Sequence, residues 1–252
     1  MRADYGERYR ELYERHWWWR AREAAILEVL RAQHPPQGWK RILDVGCGDG
    51  LFFDRLAQFG EVEGIEPAEE LVSNTGAHRS HIHIAPFDGN FRPGRQFSLI
   101  LMLDVLEHLS DPGAALRHAL ALLEPQGMLV VTVPAFRLLW TNHDVLNHHF
   151  TRYTARSFRN LARQAGLEIE TEKYFFQWLF PVKLVTRLVE RLLRLQPKPP
   201  NIPGGWINGL LYRLSRFEYK VLNPLPVPFG SSLLVVGRNP RFFSLDNPSR
   251  IG

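Results

Sequence analysis

Short apolar segments alternate with longer amphipathic segments along most of the chain, and this alternation predicts the fold. The predicted strands are residues 40–46, 62–66, 82–85, 97–103, 127–133, 167–174 and 231–236. The predicted helices between the first six strands are residues 51–59, 111–123 and 154–166. Residues 97–103 are almost entirely apolar, which is typical of a strand covered on both faces. The pattern therefore predicts an α/β fold with a mostly parallel, Rossmann-like sheet and helices on both of its faces.

Residues with special backbone preferences mark where these elements begin and end. Asp111 followed by Pro112 predicts a helix start, and Thr154 predicts another. Gly60 and Gly166 are placed to end the helices that precede them. We therefore expect short, well-defined connections between the elements of the sheet.

The two ends of the chain depart from the strand–helix alternation. The first forty residues have helical periodicity, and two further amphipathic helices, 178–195 and 206–222, precede the last strand. The sequence thus predicts a helical insertion before that strand and a loosely held tail. The predicted segments are an N-terminal helical lid (1–39), a cofactor-binding core (40–177), the insertion (178–228), the final strand (229–238) and the tail (239–252).

Composition and charge narrow the functional classes. The chain has 252 residues, one cysteine, and 31 basic against 26 acidic residues, so we expect a soluble cytoplasmic protein without a disulfide. The basic excess is local, because residues 173–220 contain nine Lys and Arg but two Glu. Such a patch indicates an anionic partner or surface. Nucleic acid is not the expected partner, since no recognised binding module accompanies the patch.

A glycine-rich turn after the first strand is the strongest chemical signal. The segment Asp44-Val45-Gly46-Cys47-Gly48-Asp49-Gly50 lies between a predicted strand and a predicted helix. Glycines let a ligand approach the main chain near a helix N-terminus. Glu66 ends the second strand, where its carboxylate can accept hydrogen bonds from two ribose hydroxyls. These features predict a nucleotide-like cofactor, and the alternative is a tight turn that needs glycine only for packing.

The spacing of the glycines bears on which cofactor is bound. The dinucleotide fingerprint requires Gly-x-Gly-x-x-Gly. Here the third glycine is Gly50, and Leu51 occupies the expected place. A nicotinamide or flavin cofactor is therefore less favoured but remains an alternative.

Three motifs together resemble class I S-adenosylmethionine-dependent methyltransferases, in the branch that includes the ubiquinone-biosynthesis-type (type 11 and type 12) enzymes. They are the turn Asp44 to Gly50, Glu66, and Leu103-Asp104-Val105-Leu106-Glu107-His108-Leu109. Segments 14–20 and 228–233 also resemble a subset of bacterial members. The resemblance implies a seven-stranded sheet whose last strand, 231–236, is antiparallel, and S-adenosyl-L-methionine as cofactor.

The same resemblance implies roles for individual residues. Gly46 and Gly48 would line the methionine moiety, Glu66 would hold the ribose, and Asp88 would lie near the adenine. Residues 104–108 would close the pocket below the sulfonium. Residues 85–89 depart from the common Gly-Asp pattern of the family. The full set expected at the cofactor is Asp44, Gly46, Cys47, Gly48, Gly50, Glu66, Pro67, Asp88, Asp104 and Val105.

Histidines after the fourth and fifth strands are the candidates for acceptor chemistry. His149 is a candidate general base because histidine titrates near neutrality, and His108 is the second candidate. A purely structural role for each is an open alternative. The residues expected to contact the acceptor or to form a lid are Trp17, Trp18, His143, Arg152 and Tyr153. Cys47 is expected to be a small packed residue, and no ligand spacing indicates a metal.

The insertion helices have two chemically distinct faces. Lys183, Arg187, Arg191 and Arg194 recur at helical spacing opposite a leucine- and valine-rich face. The expected arrangement is a hairpin with its apolar faces packed on the core and a solvated basic face. The alternatives are peripheral contact with a membrane at the inner membrane surface, or a pocket for an apolar substrate with an anionic head.

The function predicted from the sequence is methyl transfer from S-adenosyl-L-methionine to a small or lipid-linked acceptor, at oxygen or carbon. Two alternatives remain open at this point. One is a nicotinamide-dependent oxidoreductase, and the other is a non-catalytic nucleotide-binding protein.

Overall fold

A computed structural model describes residues 3–222 and 225–240, and it contains one seven-stranded sheet. The strands lie in the order β3-β2-β1-β4-β5-β7-β6, and β7 is antiparallel to both of its neighbours. The predicted α/β fold with a mostly parallel sheet is therefore confirmed, as is the antiparallel last strand. The strands are β1 (Arg41–Val45), β2 (Glu61–Glu66), β3 (Ile82–Ile84), β4 (Phe97–Leu103), β5 (Leu123–Pro134), β6 (Glu168–Phe175) and β7 (Ser232–Arg238).

Helices cover both faces of the sheet. They are α1 (Ala3–Arg15), α2 (Trp17–Gln33), α3 (Phe53–Leu56), α4 (Pro112–Leu122), α5 (Asn142–Leu146), α6 (Ala155–Ala165), α7 (Leu179–Leu193) and α8 (Gly205–Leu222). Side chains of α4 and α6 pack against one face, and those of α2 and α8 pack against the other. In β4, Ile100 and Leu101 point to opposite faces and both are fully buried. This double coverage explains why the strand is apolar at successive positions.

The predicted helix boundaries are confirmed where the capping residues lie. Asp111 accepts a hydrogen bond from the Ala114 N–H at 2.8 Å, and the Thr154 side chain accepts one from the Ser157 N–H at 3.1 Å. Gly166 ends α6 with φ of +84°, a left-handed conformation that glycine adopts without strain. These boundaries are local properties of the chain, which is why the sequence predicts them.

The helix predicted over residues 51–59 is much shorter in the structure, so its predicted length is wrong. Only Phe53–Leu56 are helical, because the preceding residues continue the turn. Gly60 has a different role from the predicted helix end. A Cβ at Gly60 would lie 2.0 Å from the carbonyl oxygen of Trp39, so glycine is needed there for close backbone packing.

The insertion helices are also oriented differently from the prediction. Most large apolar side chains of α7 and α8 are exposed, so the predicted hairpin with its apolar faces on the core is wrong. The inward face of α8 is mixed. Leu211 and Tyr219 pack against the core, while Ser215 and Glu218 are buried and hydrogen-bonded. These polar contacts determine which face of the helix meets the protein.

Asn239, the first residue of the predicted loose tail, is held by the fold. Arg238 belongs to β7, and Asn239 is buried with its side-chain amide donating to the carbonyls of Leu120 and Leu123. These contacts tie the residues after β7 to the end of α4. The rest of the predicted tail, 241–252, lies outside the described residues.

Replacement of Gly60 tests the close packing against Trp39. We expect Gly60→Ala to lower the free energy of unfolding by about 2–4 kcal/mol, because the added methyl overlaps a backbone oxygen. Gly89→Ala is the matched control, since nothing lies within 4 Å of its Cβ position. Urea unfolding of both variants measures the difference. Equal stabilities of the two variants would contradict the packing role.

Candidate active site

The glycine turn has the backbone geometry of a ligand-binding loop. Gly46, Gly48 and Gly50 all have positive φ, of 72°, 54° and 69°. A Cβ at Gly46 would lie 2.9 Å from the Cγ2 atom of Val105, which follows β4. The turn and the β4 loop therefore approach each other so closely that a side chain at position 46 has no room.

Glu66 joins the glycine turn to the end of β2. Its carboxylate accepts hydrogen bonds from the backbone N–H groups of Gly48 and Ala68, both at 2.9 Å. Burial raises the pKa of Glu66, and these two hydrogen bonds act against that rise. A carboxylate has about four acceptor positions, so further donors can still bind Glu66. Pro67 follows it and is exposed at the edge of the turn.

A partly buried ion pair connects the N-terminal helices to the end of β4. Arg22 of α2 pairs with Asp104, and the Arg22 guanidinium lies 5.3 Å from the ring centroid of Trp18. Asp104 has φ of 57°, a conformation that costs energy for a non-glycine residue and often occurs at functional sites. The Nε atom of Arg22 is buried and has no hydrogen-bond partner. This pair places a cation beside the carboxylates of the site.

Helix α1 lies over the glycine turn. The Tyr9 ring comes to 3.7 Å from the position that a Cβ of Gly48 would occupy, and Arg10 forms an ion pair with Asp49. The Trp19 ring packs edge-on against Tyr9 with centroids 6.4 Å apart. Burial is the main cause that raises the pKa of the Tyr9 hydroxyl. These side chains therefore cover the turn from the side opposite the sheet.

The three consecutive tryptophans have different surroundings. Trp17, predicted as a lid or acceptor residue, is instead in the core, where it packs against Phe176 and Trp178. Trp18 stacks on Phe176 and is half-buried. Trp19 is the tryptophan that contacts Tyr9 above the turn. Helical geometry separates neighbouring side chains by about 100°, so the sequence could not assign each tryptophan to a surface.

Two other residues of the expected cofactor set, Cys47 and Asp88, differ in their surroundings. Cys47 packs with Phe53, and a Cβ at Gly64 would lie 2.4 Å from its Sγ. Burial raises the pKa of the Cys47 thiol, which agrees with a packed residue and not with a nucleophile. Asp88 is exposed, accepts a hydrogen bond from the Asn90 N–H at 2.8 Å, and lines a cavity of about 380 Å³.

A second network lies beyond β5, around a buried carboxylate. Asp144 binds His149 at 2.9 Å, from Oδ1 to Nδ1, and forms two hydrogen bonds with Arg152 at 2.7 and 2.9 Å. Burial acts to raise the pKa of Asp144, but the hydrogen bonds from His149 and Arg152 outweigh it, and the pKa is lowered. Asp144 therefore remains ionised and can orient the His149 ring.

His149 and His108 come together although they belong to different loops. Their ring centroids are 4.6 Å apart in an edge-to-face arrangement. Burial lowers the pKa of His108, and His149 lowers it further. Ligand atoms of Glu107, His108 and His149 all lie within 4.8 Å of one another. Glu107 is buried, its Oε2 has no hydrogen-bond partner, and burial raises its pKa well above the ordinary value. Such a group could be protonated or could bind a cation.

The other residues expected at the acceptor are not equivalent. Arg152 is buried and also donates to the Ala135 carbonyl at 2.9 Å, and the Tyr153 hydroxyl donates to the Leu106 carbonyl at 3.2 Å. These two residues hold the loop in place instead of facing an open pocket. His143 is exposed, and its ring centroid lies 6.3 Å from that of His149.

Lys183 of α7 lies near the same network. Burial lowers its pKa to about 8, and the charge of Arg152 lowers it further, while Asp144 and Asp104 act in the opposite direction. The sequence places Lys183 on the solvated basic face of α7, and that placement is wrong. A lysine with this pKa is partly neutral near physiological pH.

Sequence reasoning missed Arg22 and Lys183 as site residues. Arg22 occupies a helix face shared with Ala25 and Ile26, and an arginine on such an apolar face was the available signal. Lys183 belongs to a regular basic stripe, which gave no sign that one member points inward. Both roles depend on contacts with distant segments.

The buried Asp44 predicts a pH dependence of stability. Burial raises its pKa to about 7, with Arg22 acting against the rise and Glu66 adding to it. The folded chain therefore holds this proton more tightly than the unfolded chain, so the free energy of unfolding falls as pH rises from about 4 to 7. We expect Asp44→Asn to remove about 3–4 kcal/mol of that fall, at 1.36 kcal/mol per pH unit.

Urea unfolding at several pH values between 4 and 7 measures this effect. Glu168→Gln, which changes an exposed carboxylate on β6, is the control and should keep the slope of the parent. Parallel curves for the parent and Asp44→Asn would contradict the raised pKa.

Comparison with known proteins identifies the family. The profile of the methyltransferase domain family matches residues 13–172. The ubiquinone biosynthesis O-methyltransferase of Bradyrhizobium diazoefficiens is 32% identical over 101 residues, which are 38% of this chain and 40% of that protein. The chain thus matches about two fifths of the length of this relative.

Solved structures share the fold. A chain of the complex between the Haloferax volcanii Trm112 methyltransferase activator and its methyltransferase has a TM-score of 0.60 and 19% identity, covering 94% of this chain and 95% of that chain. The N-methyltransferase NodS of Bradyrhizobium japonicum, in complex with S-adenosyl-L-homocysteine, has a TM-score of 0.52 and 15% identity, covering 88% and 87%. The chain therefore belongs to the methyltransferase domain family, and it shares the fold of these solved structures.

Proposed function

We propose that this chain transfers the methyl group of S-adenosyl-L-methionine, bound at the glycine turn, to a small or lipid-linked acceptor. The contact between the Gly48 N–H and the Glu66 carboxylate carries the proposal. This contact places the Glu66 carboxylate, which can accept hydrogen bonds from ribose hydroxyls, directly beside the backbone of the glycine turn. A family member with this arrangement has the two elements that cofactor binding requires.

The proposed cofactor roles are those that the resemblance to the family implies. Gly46 and Gly48 would lie along the methionine moiety, Glu66 would bind the ribose, and Asp88 would lie near the adenine. Asp104 to His108 would form the wall below the sulfonium. The bound cofactor supplies an electrophilic methyl group, and the protein supplies alignment and the exclusion of water. Tyr9 and Trp19 are suited to exclude water, because they cover the turn.

His149 is the proposed general base for the acceptor. Asp144 accepts the Nδ1 proton of His149, which leaves Nε2 as the basic atom. His108, whose pKa is lowered by burial, is the alternative base or a wall of the pocket. Proton removal assists transfer to a hydroxyl oxygen, and the O-methyltransferase name of the Bradyrhizobium relative supports oxygen as the accepting atom.

The alternatives have less support. A nicotinamide cofactor would need the third glycine at the position of Leu51, and membership of the methyltransferase family favours the other cofactor. A non-catalytic binding protein would have no need for an oriented base such as His149. A cytoplasmic protein with peripheral contact at the inner membrane surface stays a prediction. Among the described residues, no helix is long and apolar enough to cross a bilayer.

Replacement of Glu66 tests cofactor binding. We expect Glu66→Gln to weaken the binding of S-adenosylhomocysteine about tenfold or more, because charge-assisted hydrogen bonds to the ribose are lost. Glu61→Gln, at an exposed position of the same strand, should bind like the parent. Isothermal calorimetry with S-adenosylhomocysteine and with NAD measures both the loss and the choice of cofactor. Equal affinities of Glu66→Gln and the parent, or tighter binding of NAD, would overturn the assignment.

Replacement of His149 tests acceptor chemistry. We expect His149→Ala to lower turnover about 100-fold or more while cofactor affinity stays within about twofold, because His149 acts on the acceptor. His148→Asn is the control, since His148 is exposed and Asn tolerates its φ of 54°. The acceptor is first identified by transfer of an isotopically labelled methyl group into lipid and metabolite extracts. Normal turnover of His149→Ala would assign the residue to structure.

A further inference from the structure

Helices α7 and α8 expose apolar side chains that a globular protein would normally bury. Trp206 is 77% exposed, Leu192 is 71% exposed and Phe217 is 66% exposed. Other exposed apolar side chains of the same helices include Val185, Leu188, Leu193 and Leu210. A large exposed apolar surface of this kind indicates a site of interaction with a membrane or with another protein.

Polar contacts hold α7 with its apolar side outward. The Glu190 carboxylate accepts from the Asn142 N–H at 2.9 Å, and the Arg187 guanidinium donates to the Arg137 carbonyl at 3.0 Å. Lys183, one turn earlier, lies near Asp144 of the active site. Turning the helix to bury its apolar side would break all of these contacts. The exposure is therefore built into the packing.

Helix α8 is fixed in the same way. Asn208 accepts from the Trp17 N–H at 2.9 Å, and Ser215 accepts from the Trp178 indole at 3.1 Å. Glu218 accepts from the backbone N–H groups of Gln177 and Trp178, at the start of α7. Both helices thus direct hydrogen-bonding groups toward the protein.

The charges around these apolar side chains have one sign. Within residues 178–222 the exposed charged residues are Arg191, Arg194, Lys198, Arg213 and Lys220. The two acidic residues of this range, Glu190 and Glu218, both accept hydrogen bonds from the backbone. An exposed apolar surface whose own exposed charges, within residues 178–222, are all cations matches the boundary between the acyl chains and anionic headgroups of a bilayer.

We propose that the exposed sides of α7 and α8 dock on an anionic lipid bilayer, with the apolar side chains entering the headgroup boundary. A second copy of the chain fits less well, because a two-fold interface would bring the exposed cations of α7 and α8 from both copies together. Trp206 suits the bilayer interface, where tryptophan is enriched. Helix α7 also carries Lys183, whose charge interacts with Asp144, the partner of His149, so docking would place the bilayer beside a helix that contacts the proposed acceptor site.

Vesicle flotation of the full chain tests the proposal without the cofactor or any turnover, so its outcome is independent of the methyl-transfer assignment. The probes are vesicles of phosphatidylcholine alone and vesicles with about 30% phosphatidylglycerol, at low salt and at about 0.15 M salt. We expect flotation with the anionic vesicles, weakening as salt increases.

Two double variants separate the apolar and charged contributions. We expect Trp206→Ser with Phe217→Ser, and separately Arg213→Gln with Lys220→Gln, each to weaken vesicle binding about tenfold or more. Arg156→Gln with Arg163→Gln, at exposed positions of α6, is the matched control and should bind like the parent. Thermal unfolding should be unchanged in all three, since the replaced side chains are exposed.

Three results would overturn the proposal. The first is a parent chain that does not float with anionic vesicles even at low salt. The second is binding that Trp206→Ser with Phe217→Ser leaves intact. The third, in analytical ultracentrifugation, is a dimer or a complex with an added acidic protein that the same variant dissociates, which would identify a protein as the occupant.

Discussion

The pairing of Arg22 with Asp104 is the interaction on which the arrangement of the site depends. A parallel sheet brings the carboxyl ends of β1, β2 and β4 to one edge, and these ends carry Asp44, Glu66 and Asp104. Three carboxylates in a buried region repel one another unless a cation lies among them. Arg22 supplies that cation from α2. The same contact fixes α2, and with it α1, over the glycine turn.

The carboxylates at this edge have different surroundings, and their chemistry differs accordingly. Burial raises the pKa of both Glu66 and Asp44, to about 7 for Asp44, and backbone N–H groups act against the rise at Glu66. Asp144, beyond β5, is held ionised by hydrogen bonds from His149 and Arg152. The fold thus places several carboxyl groups beside the glycine turn and an ionised carboxylate beside the proposed base. Each is maintained by neighbours that the sheet brings into position.

The sequence predicts those features that depend on a few adjacent residues. The limits of β4, the caps at Asp111 and Thr154, and the glycine turn all follow from local preferences of the chain. The sequence does not predict which tryptophan covers the turn, because Trp17 and Trp19 differ only in the distant segments they meet. The same limit applies to α7. Its periodicity defines two faces, but contacts such as Glu190 with the Asn142 N–H decide which face meets the protein.

Helix α2 contacts both the carboxylates of the site and the outer helix α8. One side carries Arg22 toward the carboxylates, and another side receives α8 through the Glu28–Arg216 ion pair and the Tyr219 hydroxyl. A packed helix is a stiff element, so a displacement of α8 that shifts α2 would also shift Arg22. If a ligand or surface that binds α8 changes the affinity of the chain for the cofactor, the cofactor must change the affinity for that ligand or surface by the same factor. The occupancy of the glycine turn and the state of the outer helical surface form, in that case, one coupled equilibrium.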